Sequence, residues 1–370
     1  MNYLDYSIDE FATYIRDKKK RIVLFGAGTI CRVFIPQIVR EHGLLDEIAY
    51  IVDNNTSKQG TVFEIFGRKI PIVASDILLK DKKDYCILIT NGDFYSVVSQ
   101  LESIIKNTPI DVFIAAYMLY PNKKENLANE VFVDDVHPQI PRIIHYCWFS
   151  GTPIPNDLQA CIDSWRRECP DYEIIRWDES NVDLDKYQYT REAYRMKKWG
   201  FIPDVIRLDI LYEYGGFYFD TDVRIIKNLD QLRYQEAFCG RERAGHVNFG
   251  GGSGCIKCAP VIKEILDFRK DCVFDLGNGQ FNNESSGYYE TVPLIEKGLV
   301  LKDINQKLDG INVYASEFFS PYNFVNGENI QNDNTFSIHY FSGSWLSDGD
   351  KKRAETRKNY YEFRNQMERR

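Results

Sequence analysis

The chain is predicted to be a two-domain α/β protein, because three stretches couple apolar strands to helices. Arg21–Arg40 reads as strand, glycine turn and helix. Ile140–Asp178 reads as strand, loop, helix and strand. Phe201–Val223 reads as helix, glycine turn and buried strand. At 370 residues the chain is long enough for two ordinary domains, and 44% hydrophobic with 27% charged residues is a globular composition.

In chain order, residues 7–17 are expected to form a short amphipathic helix. Ser7 and Glu10 make a capping box, and Phe11, Tyr14 and Ile15 make the apolar stripe. RIVLFGAGTICRVFIPQIVR then places Gly26 and Gly28 where a dinucleotide fingerprint has its first two glycines, with Cys31 at the third position. The strand EIAYIVDNN ends at Asp53, where an acid can bind a ribose hydroxyl. YCILIT from Tyr85 reads as another buried strand, and Asp111–Met118 as a further one. Residues 1–137 are thus expected to be a Rossmann-like domain. Gly26, Gly28 and Asp53 are a candidate nucleotide site, and a module kept for assembly is the other reading. No catalytic Tyr-x-x-x-Lys of hydride transfer accompanies them. The polar run PNKKENLANE from Pro121 reads as a linker, and the second domain is placed at 138–347.

In that second domain, Pro203 and Asp204 suit the first turn of a helix, and Asp204 and Arg207 share a helix face. Gly215-Gly216 ends the helix, and Phe217–Phe219 reads as a strand covered on both faces. On extended chain Asp220 and Asp222 point to the same side. Two such carboxylates repel, so one holds its proton unless a hard divalent cation joins them. Mg²⁺ or Mn²⁺ bound in this way usually also takes substrate phosphates. Asp220 and Asp222 are therefore read as a metal–diphosphate site, a solvated turn being the alternative for an isolated D-x-D.

D-x-x-R followed by L-x-x-x-GG-x-Y-x-D-x-D resembles the DXD-containing retaining glycosyltransferases of GT-A fold. That group includes α-1,6-mannosyltransferases, α-1,4-galactosyltransferases, glucosylating toxins and capsular-polysaccharide proteins. The resemblance runs over roughly residues 138–346. It implies a GT-A nucleotide-diphospho-sugar transferase domain with Mn²⁺ or Mg²⁺ as cofactor. It also implies that Trp148, in IPRIIHYCWFSG, stacks on the nucleotide base. Asp204 would hold sugar hydroxyls, and Arg207 would lie near the sugar and diphosphate. Asp220 would touch ribose and metal. Asn248, in the glycine-rich HVNFGGGSGCIKCAP, would contact the donor. His339, in FSIHYFSGSW, would complete the metal shell with Asp220 and Asp222, and Ser344 and Trp345 would close over the donor. Ser286-Gly287 and Glu290-Thr291 fall where the group has an acceptor loop, although Pro293 comes late. His145 reads as a structural partner within its strand, and Trp165 and Trp177 as packing residues.

The implied reaction moves a hexose from a nucleotide sugar to a saccharide acceptor, which a lipid can carry, in surface or capsular polysaccharide assembly. UDP-hexose is the first expectation for the donor and GDP-mannose the second. No nucleophile stands at a diagnostic spacing, so the expectation is front-face attack by the acceptor hydroxyl. A net charge of −8 gives no pull toward nucleic acid. Nine scattered cysteines read as reduced thiols, the N-terminus lacks a signal pattern, and no apolar run reaches membrane-spanning length. A cytoplasmic protein is expected. Its basic tail, residues 348–370, either lies on the anionic inner face of a membrane or packs as a solvated helix. Three alternatives stay open: a nucleotide-sugar-modifying oxidoreductase, a toxin-like protein glycosyltransferase, and a non-catalytic assembly protein.

Overall fold

The structure is a computed structural model. It describes residues 1–370 except 81–83, 93, 106–108, 120–129, 244, 283, 301, 323–328, 343–363 and 365–370. Two compact units emerge: Met1–Glu125 with Lys352–Arg370, and Asn126–Lys351. The linker proposed from Pro121 lies, up to residue 129, outside the described residues, and so does the basic tail apart from Arg364. Arg364 is buried and donates to Asp5.

The first unit holds strands β1 (Asn2–Leu4), β2 (Arg21–Phe25), β3 (Ile48–Val52), β4 (Val62–Ile65), β5 (Arg68–Val73), β6 (Tyr85–Ile89) and β7 (Asp111–Ile114). Its helices are α1 (Ile8–Lys18), α2 (Thr29–His42), α3 (Ile77–Lys80), α4 (Phe94–Ile104) and α5 (Ala115–Leu119). The sheet order is β1-β7-β6-β2-β3-β5-β4, parallel except for the β4–β5 pair. The chain thus winds outward in both directions from β2. RIVLF and YCILI sit at the centre because both faces of each are apolar, which suits strands covered by helices on either side. Ser7 and Glu10 form the reciprocal capping box of α1. The strand expected over Asp111–Met118 stops at Ile114. DVFI favours a strand, whereas Ala115, Ala116, Met118 and Leu119 favour a helix, and α5 begins there.

The second unit holds β8 (Ile143–Cys147), β9 (Glu173–Trp177), β10 (Gly216–Tyr218), β11 (Val223–Ile225), β12 (Ala237–Arg241), β13 (Val247–Cys255), β14 (Asp275–Gly277), β15 (Gln280–Phe281), β16 (Gln306–Leu308), β17 (Ile311–Tyr314) and β18 (Ser337–His339). Its helices are α6 (Asn156–Glu168), α7 (Gln188–Arg195), α8 (Pro203–Tyr214), α9 (Pro260–Arg269), α10 (Ser286–Glu296) and α11 (Ser316–Phe319). The mixed sheet runs β16-β17-β12-β13-β10-β8-β9. Phe217 and Phe219 enter one core cluster and Tyr218 the other, so the short strand β10 is covered on both faces. His145 is fully buried, close to Gly215 O (2.9 Å) through Nε2, while its Nδ1 accepts from the Trp177 indole at 3.1 Å.

One expectation changes here. Ser286–Thr291 is not a loop but the start of α10, capped by Ser285. The glycine-rich run around Asn248 forms the buried strand β13, antiparallel to both β10 and β12.

Candidate metal centre and its surroundings

Helix α8 opens at Pro203 and buries Asp204 and Arg207 on one face. The Arg207 guanidinium donates through Nη2 to Asp204 Oδ1 and through Nε to the Pro203 carbonyl at 3.1 Å. It also lies over the Tyr218 ring, 5.6 Å from the centroid. Burial opposes its charge, but Asp220, Asp204 and Glu290 together hold its pKa well above the usual value. Asp204 Oδ2 accepts from Arg269 Nη2 at 3.3 Å, so this carboxylate is gripped by two guanidiniums. It was expected to hold sugar hydroxyls; in the structure it fixes Arg207.

The helix ends at Gly215 and Gly216, both at positive φ, and the chain turns straight into β10. The expectation of an extended D-x-D is corrected. After Phe219 the chain leaves the sheet in a turn closed by Val223 N–H donating to the Asp220 carbonyl at 3.1 Å. The turn, not strand alternation, lets the two carboxylates approach each other. Strand β11 follows at once and pairs with β18, placing Val223 opposite His339. That pairing brings His339 Nε2 to 3.2 Å from Asp222 Oδ1. Asp222 also accepts from Ser342 N (2.9 Å) and Ser342 Oγ (3.0 Å).

Ligand atoms of Asp220, Asp222 and His339 all lie within 4.8 Å of one another. The two carboxylates titrate apart. Burial raises Asp220, with Asp222 adding to the rise. Asp222 is lowered: burial works against it, but the His339 imidazole and the Ser342 donors prevail. Burial likewise disfavours charge on His339, and the Asp222 carboxylate overrides it and raises its pKa. Two carboxylates and one imidazole form a mixed oxygen–nitrogen set, and the crowding of the acids favours a cation between them. The set fits Mn²⁺, with Mg²⁺ a poorer match for imidazole.

Asn248 lies behind His339. Its Nδ2 donates to Glu242 Oε1 at 2.8 Å and lies 3.3 Å from His339 Nδ1, while its Oδ1 accepts from Gly251 N at 2.9 Å. It therefore steadies the histidine from within β13. Two residues on, Gly250 leaves the space that Asp220 and Arg207 fill.

Trp148 follows β8 at the sheet end where Asp220 follows β10, since His145 pairs with Tyr218. It is half-buried, and its indole donates to the Thr152 carbonyl at 2.7 Å. Ser344 and Trp345 lie outside the described residues. In the first unit, Gly26 has φ +116° at the turn after β2, and Gly28 caps α2. Asp53 Oδ2 accepts Ala27 N–H at 2.7 Å, so the acid expected to meet a ribose is folded onto the glycine turn, 3.6 Å from Lys58 Nζ. The structure thus assembles Asp204, Arg207, Asp220, Asp222, Asn248 and His339 in the second unit, while Gly26, Gly28 and Asp53 belong to the first. Sequence reasoning missed Arg269, Glu242 and Ser342, and did not join Glu290 to Arg207. A charged residue inside the aromatic run YYETVPL was the one available signal for Glu290.

Residues 155–239 match the family described as the glycosyltransferase sugar-binding region containing DXD motif. Residues 4–113 match a C-methyltransferase C-terminal domain. Inositol phosphoceramide mannosyltransferase 3 of Schizosaccharomyces pombe is 30% identical over 170 residues, covering 43% of this chain and 45% of that protein. Inositol phosphoceramide mannosyltransferase 2 of the same organism is 36% identical over 114 residues, covering 28% of this chain and 31% of its own. The chain therefore spans less than half the length of these relatives. A solved structure titled PaToxG Glycosyltransferase overlaps 35% of this chain and 60% of that one, with 19% identity and a TM-score of 0.31, too low to define a shared fold. The matched segment carries Asp204, Arg207, Asp220 and Asp222.

Proposed function

We propose that the chain is a metal-dependent retaining glycosyltransferase of GT-A type that moves a hexose from a nucleotide sugar to a saccharide or lipid-linked acceptor. The convergence of Asp220, Asp222 and His339 within 4.8 Å, beside the buried Arg207, carries this reading. Asp220, Asp222 and His339 would hold a divalent cation. The chemistry such a cation supplies is neutralisation of charge on the leaving diphosphate. Arg207, permanently charged and fixed by Asp204, would add a second cation near that diphosphate. Ser342 and His339 keep Asp222 ionised and oriented. Asn248 orients His339 and contacts the donor, and Trp148, with Ser344 and Trp345, would cover the nucleotide.

The names of the relatives favour a mannosyl donor over the UDP-hexose first expected, and an inositol-phosphoceramide-like lipid as acceptor. GDP-mannose is therefore the first donor to test. Among the described residues no helix is long and apolar enough to cross a membrane. For the first unit we propose a Rossmann-like nucleotide site at Gly26, Gly28 and Asp53, supported by the sheet winding outward from β2.

The deciding experiment is release of mannose from GDP-mannose and of glucose from UDP-glucose, with Mn²⁺ and with a chelator. The expected result is Mn²⁺-dependent hydrolysis of one donor, with retention of anomeric configuration in a transfer assay. Hydrolysis of neither donor, with the protein folded, would rule the reading out.

A further inference from the structure

Glu290 lies on α10, and none of its side chain reaches solvent. Its Oε2 accepts the N–H of Phe249 at 3.0 Å, the residue directly before Gly250. Thr291 Oγ1 accepts the N–H of Val247 at 3.0 Å, so neighbouring side chains latch α10 onto β13 at two points. Glu290 Oε1 has no hydrogen-bond partner and lies 3.9 Å from Arg207 Nη1. Nη1 is also 3.6 Å from Asp220 Oδ2, so it stands between the two acids and beyond hydrogen-bond distance of either. The other two guanidinium nitrogens are committed to Asp204 and to the Pro203 carbonyl.

Three carboxylates, Asp204, Asp220 and Glu290, therefore share two buried guanidiniums, Arg207 and Arg269. Asp220 is the partly exposed member and belongs to the metal cluster. If its charge turns to a cation, Asp204 and Glu290 remain opposite Arg207 and Arg269, two against two above about pH 7, where Glu290 is ionised although burial lifts its carboxyl. Without Glu290, Arg207 would have to keep Asp220, because a buried cation that loses its acid is costly.

We propose that Glu290 is a positioning residue: it balances Arg207 from behind and so frees Asp220 to serve the divalent cation. The inference rests on the metal-site reading above. The latch to Phe249 fixes where the balancing charge sits, next to the gap at Gly250.

The test is Mn²⁺ affinity by calorimetry at pH 8, where Glu290 is ionised, without donor, on wild type, Glu290→Gln and Glu290→Asp, with near-ultraviolet circular dichroism to confirm the fold. Glu290→Gln is expected to weaken Mn²⁺ binding by about 10- to 100-fold, and Glu290→Asp to recover a large part of that loss. A wild-type dissociation constant in Glu290→Gln overturns the proposal. Should that variant not fold, the pair Arg207→Gln with Glu290→Gln decides. Removing cation and acid together must leave a folded protein that binds Mn²⁺ at least as tightly as wild type, and failure to fold or to bind overturns the proposal. Wild type that takes up no Mn²⁺ defeats the metal-site reading itself, and this inference with it.

Discussion

Gly250 has no side chain at the place where Asp220 crosses strand β13. A Cβ there would strike Asp220 Oδ2 and Arg207 Nη1 and lie 2.7 Å from the Asp220 carboxyl carbon. The two residues are also tied by Asp220 N–H donating to the Gly250 carbonyl at 2.8 Å. Gly250→Ala should therefore displace both functional side chains while leaving the apolar cores alone. Overpacking of this kind costs about 1–3 kcal/mol. The expected result is a folded protein with a modestly lower Tm and donor hydrolysis reduced about a hundredfold. Wild-type turnover would show that the carboxylate does not need this position.

Asp222→Asn separates metal binding from folding. The amide keeps an oxygen for Ser342 but loses the charge facing His339. Calorimetry should detect no saturable Mn²⁺ binding, and hydrolysis should fall about a hundredfold or more. Chemical denaturation without metal should show a loss of stability smaller than that of breaking a fully buried ion pair, because the fold holds Asp222 ionised through His339 and Ser342 while its repulsion with Asp220 is relieved. Unchanged Mn²⁺ affinity would remove Asp222 from the ligand set.

Asp204 should behave in the opposite way. It is buried and answers two guanidiniums, so Asp204→Ala strands charge in the interior. Breaking one partner of a buried ion pair typically costs about 3–5 kcal/mol. Denaturant midpoints should show that loss even without metal or donor. A loss of turnover with wild-type stability would instead mark Asp204 as a substrate contact, the role the sequence resemblance implied.

Much of this site could be read from local sequence, and the rest depends on pairings that no local window contains. Pro203, Asp204 and Arg207 declare a helix face, and Gly215-Gly216 declares its end. RIVLF and YCILI announce central strands through their unbroken apolar runs. By contrast, VNFGGGSGC is poor in strand-forming residues and does not announce a strand. It is a strand because its glycines make room for neighbours distant in sequence, Asp220 and Arg207 at Gly250 and Phe319 at Gly252. His339 meets Asp222 through the β11–β18 pairing, whose short strands carry no turn signal linking them. Glu290 was misplaced for a related reason. Gly287 and Pro293 suggest a loop, yet Ser285 caps a helix that turns the acid inward.

Acid stability should depend on His145. This imidazole is buried beneath the Gly215 turn, and burial pushes its pKa down to about 4 against the pull of the Gly215 carbonyl. His246 is likewise pushed down to about 4, by burial and then by Arg241. Both fold as neutral rings, whereas the unfolded chain takes up protons near pH 6.5. The unfolded state thus binds more protons throughout that interval. Their stabilisation is complete above about pH 6.5 and is lost as pH falls toward about 4, by up to about 1.4 kcal/mol per pH unit for each ring. Glu290 acts in the opposite sense over an overlapping range, since burial lifts its carboxyl to about 7. The informative quantity is therefore the difference between wild type and His145→Gln, whose amide can still donate to Gly215 and accept from Trp177. Urea denaturation from pH 4.5 to 7.5 should give the variant lower stability at pH 7 and a shallower loss on acidification. Parallel pH profiles would mean that His145 takes up a proton within the folded protein as readily as in the unfolded chain.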